Sequence, residues 1–162
     1  MISELIQVLQ RLPSLTEAHA LVNANPGCRY WLVGNGGSAA VASHIANDMV
    51  RKGRRAIALV DPPTLSANAN DFGWTASFAP QLQVHLVKGD LVIVISSSGQ
   101  SANVIAATAA ARDLRARVLT LSAFDSNNPL RGRGDVNLWV DTHNYGVAEA
   151  AHLAMLHEIV NP

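Results

Sequence analysis

The sequence predicts a doubly wound α/β domain: an open, mostly parallel sheet of about five strands, flanked by helices in three layers. Three observations carry this. Leu91–Ile95 (LVIVI) is a continuous, β-branched apolar run, as expected of a parallel strand covered on both faces. Tyr30–Val33 and Leu91–Ile95 each run directly into a small-residue loop and then a helical stretch. Strand, loop and helix then alternate along the chain, without an internal repeat or low-complexity tail. One domain is expected over residues 1–162, with a short helical segment at 1–27 and the α/β core at 28–160.

The elements follow in order. Ile2–Leu12 has apolar residues at helical spacing and stops at Pro13. Ser14 and Glu17 resemble a capping box, which predicts a second short helix over Ser14–Asn23. Asn25-Pro26-Gly27 is a turn signal. Tyr30–Val33 predicts the first strand and Ala39–Arg51 the helix after it. Ala56–Val60 predicts a second strand, ended by Asp61-Pro62-Pro63. Thr64–Ala79, which contains NANDFGW, reads as short helix and loop, and Pro80–Val87 is ambiguous. Leu91–Ile95 is the third strand, with Ala102–Leu114 as its helix. Arg117–Leu121 and Val136–Val140 complete the sheet, and Val147–Val160 is the closing helix. Trp31, Phe72, Trp74 and Trp139 are expected in the core or shaping a pocket.

Composition narrows the function classes. Apolar residues make up 49% and charged residues 15% of the chain, a balance that burial between subunits or an Ala-rich composition would each produce. The formal net charge is zero, so the basic excess of a duplex-binding protein is missing. The local cluster Arg51, Lys52, Arg54 and Arg55 reads as a solvated helix end. Cys28 is the only cysteine, which excludes an intrachain disulfide and a four-cysteine zinc site. MISELIQVLQRL carries an acid and does not read as a secretory signal, and no apolar run approaches the roughly 20 residues of a membrane span. A cytoplasmic protein with no nucleic-acid or membrane partner is expected.

Two loops have the chemistry for an anion at the carboxyl ends of parallel strands, where open α/β sheets bind ligands. In Gly34-Asn35-Gly36-Gly37-Ser38, glycines let backbone N–H groups approach an oxyanion at a helix start; a plain strand-to-helix turn reads the same way. The spacing matches neither a P-loop nor GxGxxG. Ser96-Ser97-Ser98-Gly99-Gln100-Ser101 is more specific. Four hydroxyls and the amides of a helix start satisfy a phosphate without Lys or Arg, and exceed what an N-cap at Ser101 needs. His44 and Asp48 lie one turn apart on the helix after the first loop, while Glu149 and His157 lie two turns apart on the closing helix. These two histidines and two carboxylates make a four-ligand metal set if the helices meet; alternatively Asp48 is a surface partner of Arg51 or Lys52.

Four ordered motifs, GNGGSAAVASHIANDMV, NANDFGW, ISSSGQSANV and EAAHLAMLHEIV, resemble the sugar-isomerase (SIS) domain family over roughly residues 28–160. Within it they are most similar to the phosphoheptose isomerase group. The resemblance implies a homotetramer with active sites built from neighbouring subunits, or a dimer given the short N-terminal region. It implies aldose–ketose isomerisation of sedoheptulose 7-phosphate to a heptose 7-phosphate through an enediol. It implies Zn²⁺ as the metal and no organic cofactor. By position, Asn35, Gly36, Ser38 and Asp71 would line the sugar site, and Ser96, Ser97, Ser98 and Ser101 would hold the phosphate, with Thr120 near the sugar. His44, Asp48, Glu149 and His157 would form the metal site, with Asp48 and His157 as the acid–base pair. Asp48 replaces the family's glutamate, Glu149 its glutamine and Gly146 an aspartate. These departures keep two alternatives open: a non-catalytic SIS module that binds a phosphosugar or a protein, such as a replication-initiator-binding paralogue, and an isomerase of a different phosphosugar.

Overall fold

A computed structural model describes residues 1–161. Five parallel strands form one sheet: β1 (Arg29–Gly34), β2 (Arg55–Ala58), β3 (Leu91–Ser96), β4 (Arg117–Ser122) and β5 (Val136–Trp139), in the order β2-β1-β3-β4-β5. The chain first steps from β1 outward to β2 and then crosses to β3 on the other side of β1. The order therefore reverses between β1 and β3, and the crevice where such sheets bind ligands opens there. The register sets Tyr30 opposite Leu91 and Gly34 opposite Ile95, so both strands end level at that crevice.

Helices cover both faces. Helices α1 (Ile2–Leu9), α2 (Thr16–Asn23), α3 (Gly36–Arg51) and α7 (Tyr145–Val160) cover one. There Tyr30, Leu32, Ile93, Ile95, Leu119 and Leu121 pack against Ile45, Met49, Ala151 and Met155. Helices α5 (Ala79–His85) and α6 (Ala102–Asp113) cover the other. There Trp31, Val33, Val92, Val94 and Val118 meet Phe78, Leu82, Val104 and Ala107. Successive strand residues alternate between these two cores, and that two-sided burial is why Leu91–Ile95 is uniformly apolar.

Several elements differ from expectation. The first helix ends at Leu9, because a residue before proline is disfavoured in the helical region and Leu12 precedes Pro13. No capping box forms: Ser14 Oγ accepts weakly from Thr16 N at 3.4 Å, and α2 starts at Thr16 without a side-chain cap bond. The segment around NANDFGW is an eleven-residue helix, α4 (Pro62–Phe72), followed by a 3₁₀ turn at Trp74–Ala76. Asp61 caps it by accepting from Thr64 N at 3.0 Å, and Pro62 and Pro63 occupy the first positions, where no N–H is needed. The ambiguous stretch forms α5. Phe72 and Trp74 are largely exposed rather than in the core. The basic cluster is not simply solvated: Lys52 Nζ donates to Val160 O at 3.2 Å, and Arg54 donates to Asn23.

At the end of the sheet opposite the crevice, where β1 and β3 begin, the buried carboxylate of Asp90 joins β3 to β1. It accepts from Arg29 N at 3.0 Å, Trp31 Nε1 at 3.2 Å and Val87 N at 3.2 Å, and meets Arg29 Nε at 3.2 Å.

His152 sits fully buried on α7, with Nε2 donating to Ser122 O at 3.2 Å and Nδ1 unpartnered. Burial pushes its pKa from 6.5 down to about 4, against the smaller opposing effect of that hydrogen bond. The folded ring therefore stays neutral while the unfolded ring gains a proton as the pH falls below 6.5. Its stabilising effect is complete above 6.5 and is lost between 6.5 and 4, amounting to about 3 kcal/mol. Thermal melts across this window should fall steeply for the native chain and less steeply for His152→Leu. An equal slope in both would show that the acid sensitivity lies elsewhere.

Candidate active site

The crevice holds a cavity of about 320 Å³. Its walls are Asn35–Ser38 from the start of α3, Ser96–Ser98 and Ser101 from the β3–α6 loop, and Tyr145 and Glu149 from α7. Both sequence-predicted loops therefore meet in one space, with their helices starting on opposite faces of the sheet. Gly36 and Gly37 are not a separate loop but the first turn of α3, so their free backbone N–H groups belong to a helix start. No Lys or Arg lines the cavity.

The serine loop is shaped around Gly99, whose φ of +63° favours glycine. Gly99 N donates to Ser96 O at 3.0 Å, Leu130 N donates to Gly99 O at 3.0 Å, and Ala123 N donates to Ser97 O at 2.9 Å. The backbone is thus committed to holding the loop, with Ser98 Oγ accepting from Gln100 N at 3.3 Å. Ser97 Oγ is buried without a hydrogen-bond partner, and Ser101 stands at the N-cap of α6 without making the capping bond. A buried hydroxyl left unpaired costs free energy unless a ligand satisfies it. Asn35 and Asn103 join the two loops through reciprocal amide hydrogen bonds of 2.9 Å, and Asn103 also donates to Ser77 Oγ at 3.1 Å. Asn103, which is fully buried, was not singled out in the sequence. Its only signal is a polar residue in the first turn after the serine loop, where an apolar one would be expected to pack.

Helices α3 and α7 both start at the crevice and run side by side. Gly37 lets the Glu149 carboxylate lie directly on the first turn of α3, a place a Cβ would fill. Beyond it a second cavity of about 420 Å³, lined by Gly37, Val41, His44, Glu149 and Leu153 among others, continues along the seam between the helices. Further along, His44, Asp48 and His157 converge, with one possible ligand atom from each within 4.8 Å of the others. Asp48 Oδ2 lies 3.6 Å from His44 Nε2 and 3.4 Å from His157 Nδ1, so it pairs with histidines rather than with Arg51 or Lys52. The two imidazoles meet edge to face at 5.1 Å. Two imidazole nitrogens and one carboxylate are the donor chemistry that suits zinc.

Three expected site residues stand apart. Glu149 does not join that cluster: eight residues separate it from His157, about 12 Å along the helix, which puts it at the crevice end. Thr120 is fully buried in β4 and donates its hydroxyl to Asn137 Oδ1 at 2.7 Å, so it anchors the turn before β5 instead of facing the sugar. Asp71 is exposed on α4 beside Asn70 and lines neither cavity.

The SIS domain family model matches residues 17–123. The phosphoheptose isomerase of Streptomyces coelicolor is 38% identical over 140 residues, covering 82% of this chain and 60% of that relative. That of Aliarcobacter butzleri is 34% identical over 165 residues, covering 98% of this chain and 87% of the relative. The structure of phosphoheptose isomerase GmhA from Neisseria gonorrhoeae superposes with a TM-score of 0.88 at 31% identity, covering 99% of this chain and 92% of that one. No described helix is long and apolar enough to cross a membrane.

Proposed function

Because the chain belongs to the SIS-domain family and, within it, to the phosphoheptose isomerases, we propose that it is an aldose–ketose isomerase interconverting sedoheptulose 7-phosphate and a heptose 7-phosphate. The observation that carries the reading is the unpartnered Ser97 hydroxyl, buried in a cation-free cavity at two helix starts. A phosphate there accepts from serine hydroxyls and from the free amides of α3 and α6, whose positive ends offset its charge. Asn35, Gly36, Ser38, Ser96, Ser97, Ser98 and Ser101 bind the phosphate and the adjoining sugar. The carbonyl end then extends along the seam past Glu149 toward His44.

Isomerisation needs no oxidant. A base removes a proton from C1 of the ketose, the electron pair forms the C1–C2 double bond of an enediol, and the C2 oxygen gains a proton. The C1 hydroxyl then gives up its proton to become the aldehyde, and a proton is returned to carbon at C2. Asp48 and His157 are the acid–base pair in this reading. In the alternative route, His44, Asp48 and His157 would instead hold a zinc ion, which when bound supplies polarisation of a carbonyl oxygen in place of proton transfer by those side chains. A homo-oligomer in the cytoplasm is the setting we infer; Ile2, Ile6 and Leu9 make an exposed apolar stripe on α1 that a second copy would cover.

The test is to follow aldose formation from sedoheptulose 7-phosphate by NMR, with added zinc and with chelator. Aldose is expected, and the chelator arm shows whether metal is needed. Binding of the phosphosugar without any aldose would overturn the catalytic reading.

A further inference from the structure

One wall of the cavity is unlike the rest. Everything facing it from the start of α3 and the serine loop is a glycine, a serine or Asn35, a surface suited to phosphate oxygens and hydroxyls; α7 adds Glu149 and Tyr145. A sugar phosphate also has C–H faces, and these need an apolar surface. Tyr145 is the one lining side chain that provides such a surface. It is 60% exposed at the first position of α7, where nothing in the core demands an aromatic residue.

The ring is held from behind. Phe124 meets it edge to face at 4.8 Å, and His143 stacks on Phe124 at 5.4 Å. His143 Nε2 lies 3.3 Å from Asp125 Oδ1, which fixes that ring in turn. Phe124 has a φ of +59°, a conformation an aromatic residue adopts only when its surroundings enforce it. Phe124 N donates to Thr142 O at 2.9 Å, tying the turn after β4 to the segment that leads into α7. The preceding residue, Ala123, donates to Ser97 O. The same short turn therefore positions both the phosphate loop and the aromatic stack.

Resting on the phosphosugar reading above, we propose that Tyr145 is a specificity-determining residue whose ring packs against the carbon chain of the substrate, while the serine loop reads only the phosphate. Phe124 and His143 are positioning residues for that ring.

The proposal is tested by calorimetric titration of the full chain with sedoheptulose 7-phosphate and with inorganic phosphate. Tyr145→Ala should weaken the phosphosugar roughly tenfold and leave phosphate within about twofold. Tyr145→Phe keeps the ring and should stay within about twofold of the native chain for both. Melting curves confirm folding; the exposure of Tyr145 makes loss of the fold an unexpected result. Equal losses for both ligands in Tyr145→Ala would reveal a merely structural role and overturn the proposal, as would no loss for either. A native chain that binds neither ligand would instead sink the phosphosugar reading, and this proposal with it.

Discussion

Replacing Gly99 with alanine should abolish sugar-phosphate binding, by more than about 100-fold, and cost roughly 2–4 kcal/mol of stability. Two effects add. The φ of +63° disfavours any side chain, and a Cβ at this position would fall far inside van der Waals contact with the Asn128 side chain. Asn128 has nowhere to go. It is buried, its Nδ2 donates to Ser122 Oγ, Ala123 O and Asp125 O, and its Oδ1 accepts from Arg131 N at 3.0 Å. The strain must therefore open the loop itself, separating Ser96–Ser98 from Ser101. Phosphate titration together with chemical denaturation measures both parts. An Ala variant that binds normally would show that the loop tolerates another backbone path, and the geometric basis of the cradle would have to be abandoned.

Asp90→Ala should destabilise the domain by about 3–5 kcal/mol, lowering the melting temperature by roughly 10 °C. The carboxylate satisfies two backbone amides, the Trp31 indole and the Arg29 guanidinium in a site only 2% exposed. Its removal leaves those donors in a poorly solvated pocket. The residue lies at the opposite end of strands β1 and β3 from the crevice, so the folded fraction should bind phosphate normally. A loss below about 1 kcal/mol would mean that water replaces the carboxylate easily. Asp90→Asn, which keeps the acceptor oxygen and the shape, should fall between the two.

The fold was legible where local chemistry is decisive. The two-sided burial of the central strands leaves uniform apolar runs, and the small residues after Val33 and Ile95 admit only tight turns into helices. The two small-residue loops that meet at the crevice could be read for that reason. What could not be read depends on partners distant in sequence. Thr120 and a ligand-facing hydroxyl look alike until the sheet fixes which face the side chain takes and Asn137 arrives beside it. Glu149 and His157 share a helix, yet only the neighbouring α3 divides them between crevice and cluster. Asp90 resembles any loop acid because its donors Arg29 and Trp31 come from a strand some sixty residues away. Phe124 and Tyr145 gave no periodic signal, since each stands in a turn or at a helix start.

The reversal of strand order beside β1 also governs how the molecule is made. Strand β1 pairs with β2 from the nearby chain, but Arg29 waits for Asp90, 61 residues later, before its other edge is covered. On a ribosome, the apolar edge formed by Trp31, Leu32 and Val33 is thus synthesised well before its partner. That distant pairing is slow by its topology, and until it forms, the unpaired edge invites association with other chains. The crevice cavity, half from the end of β1 and half from the end of β3, comes into being only at that step. Binding at the proposed site would therefore report the completion of folding.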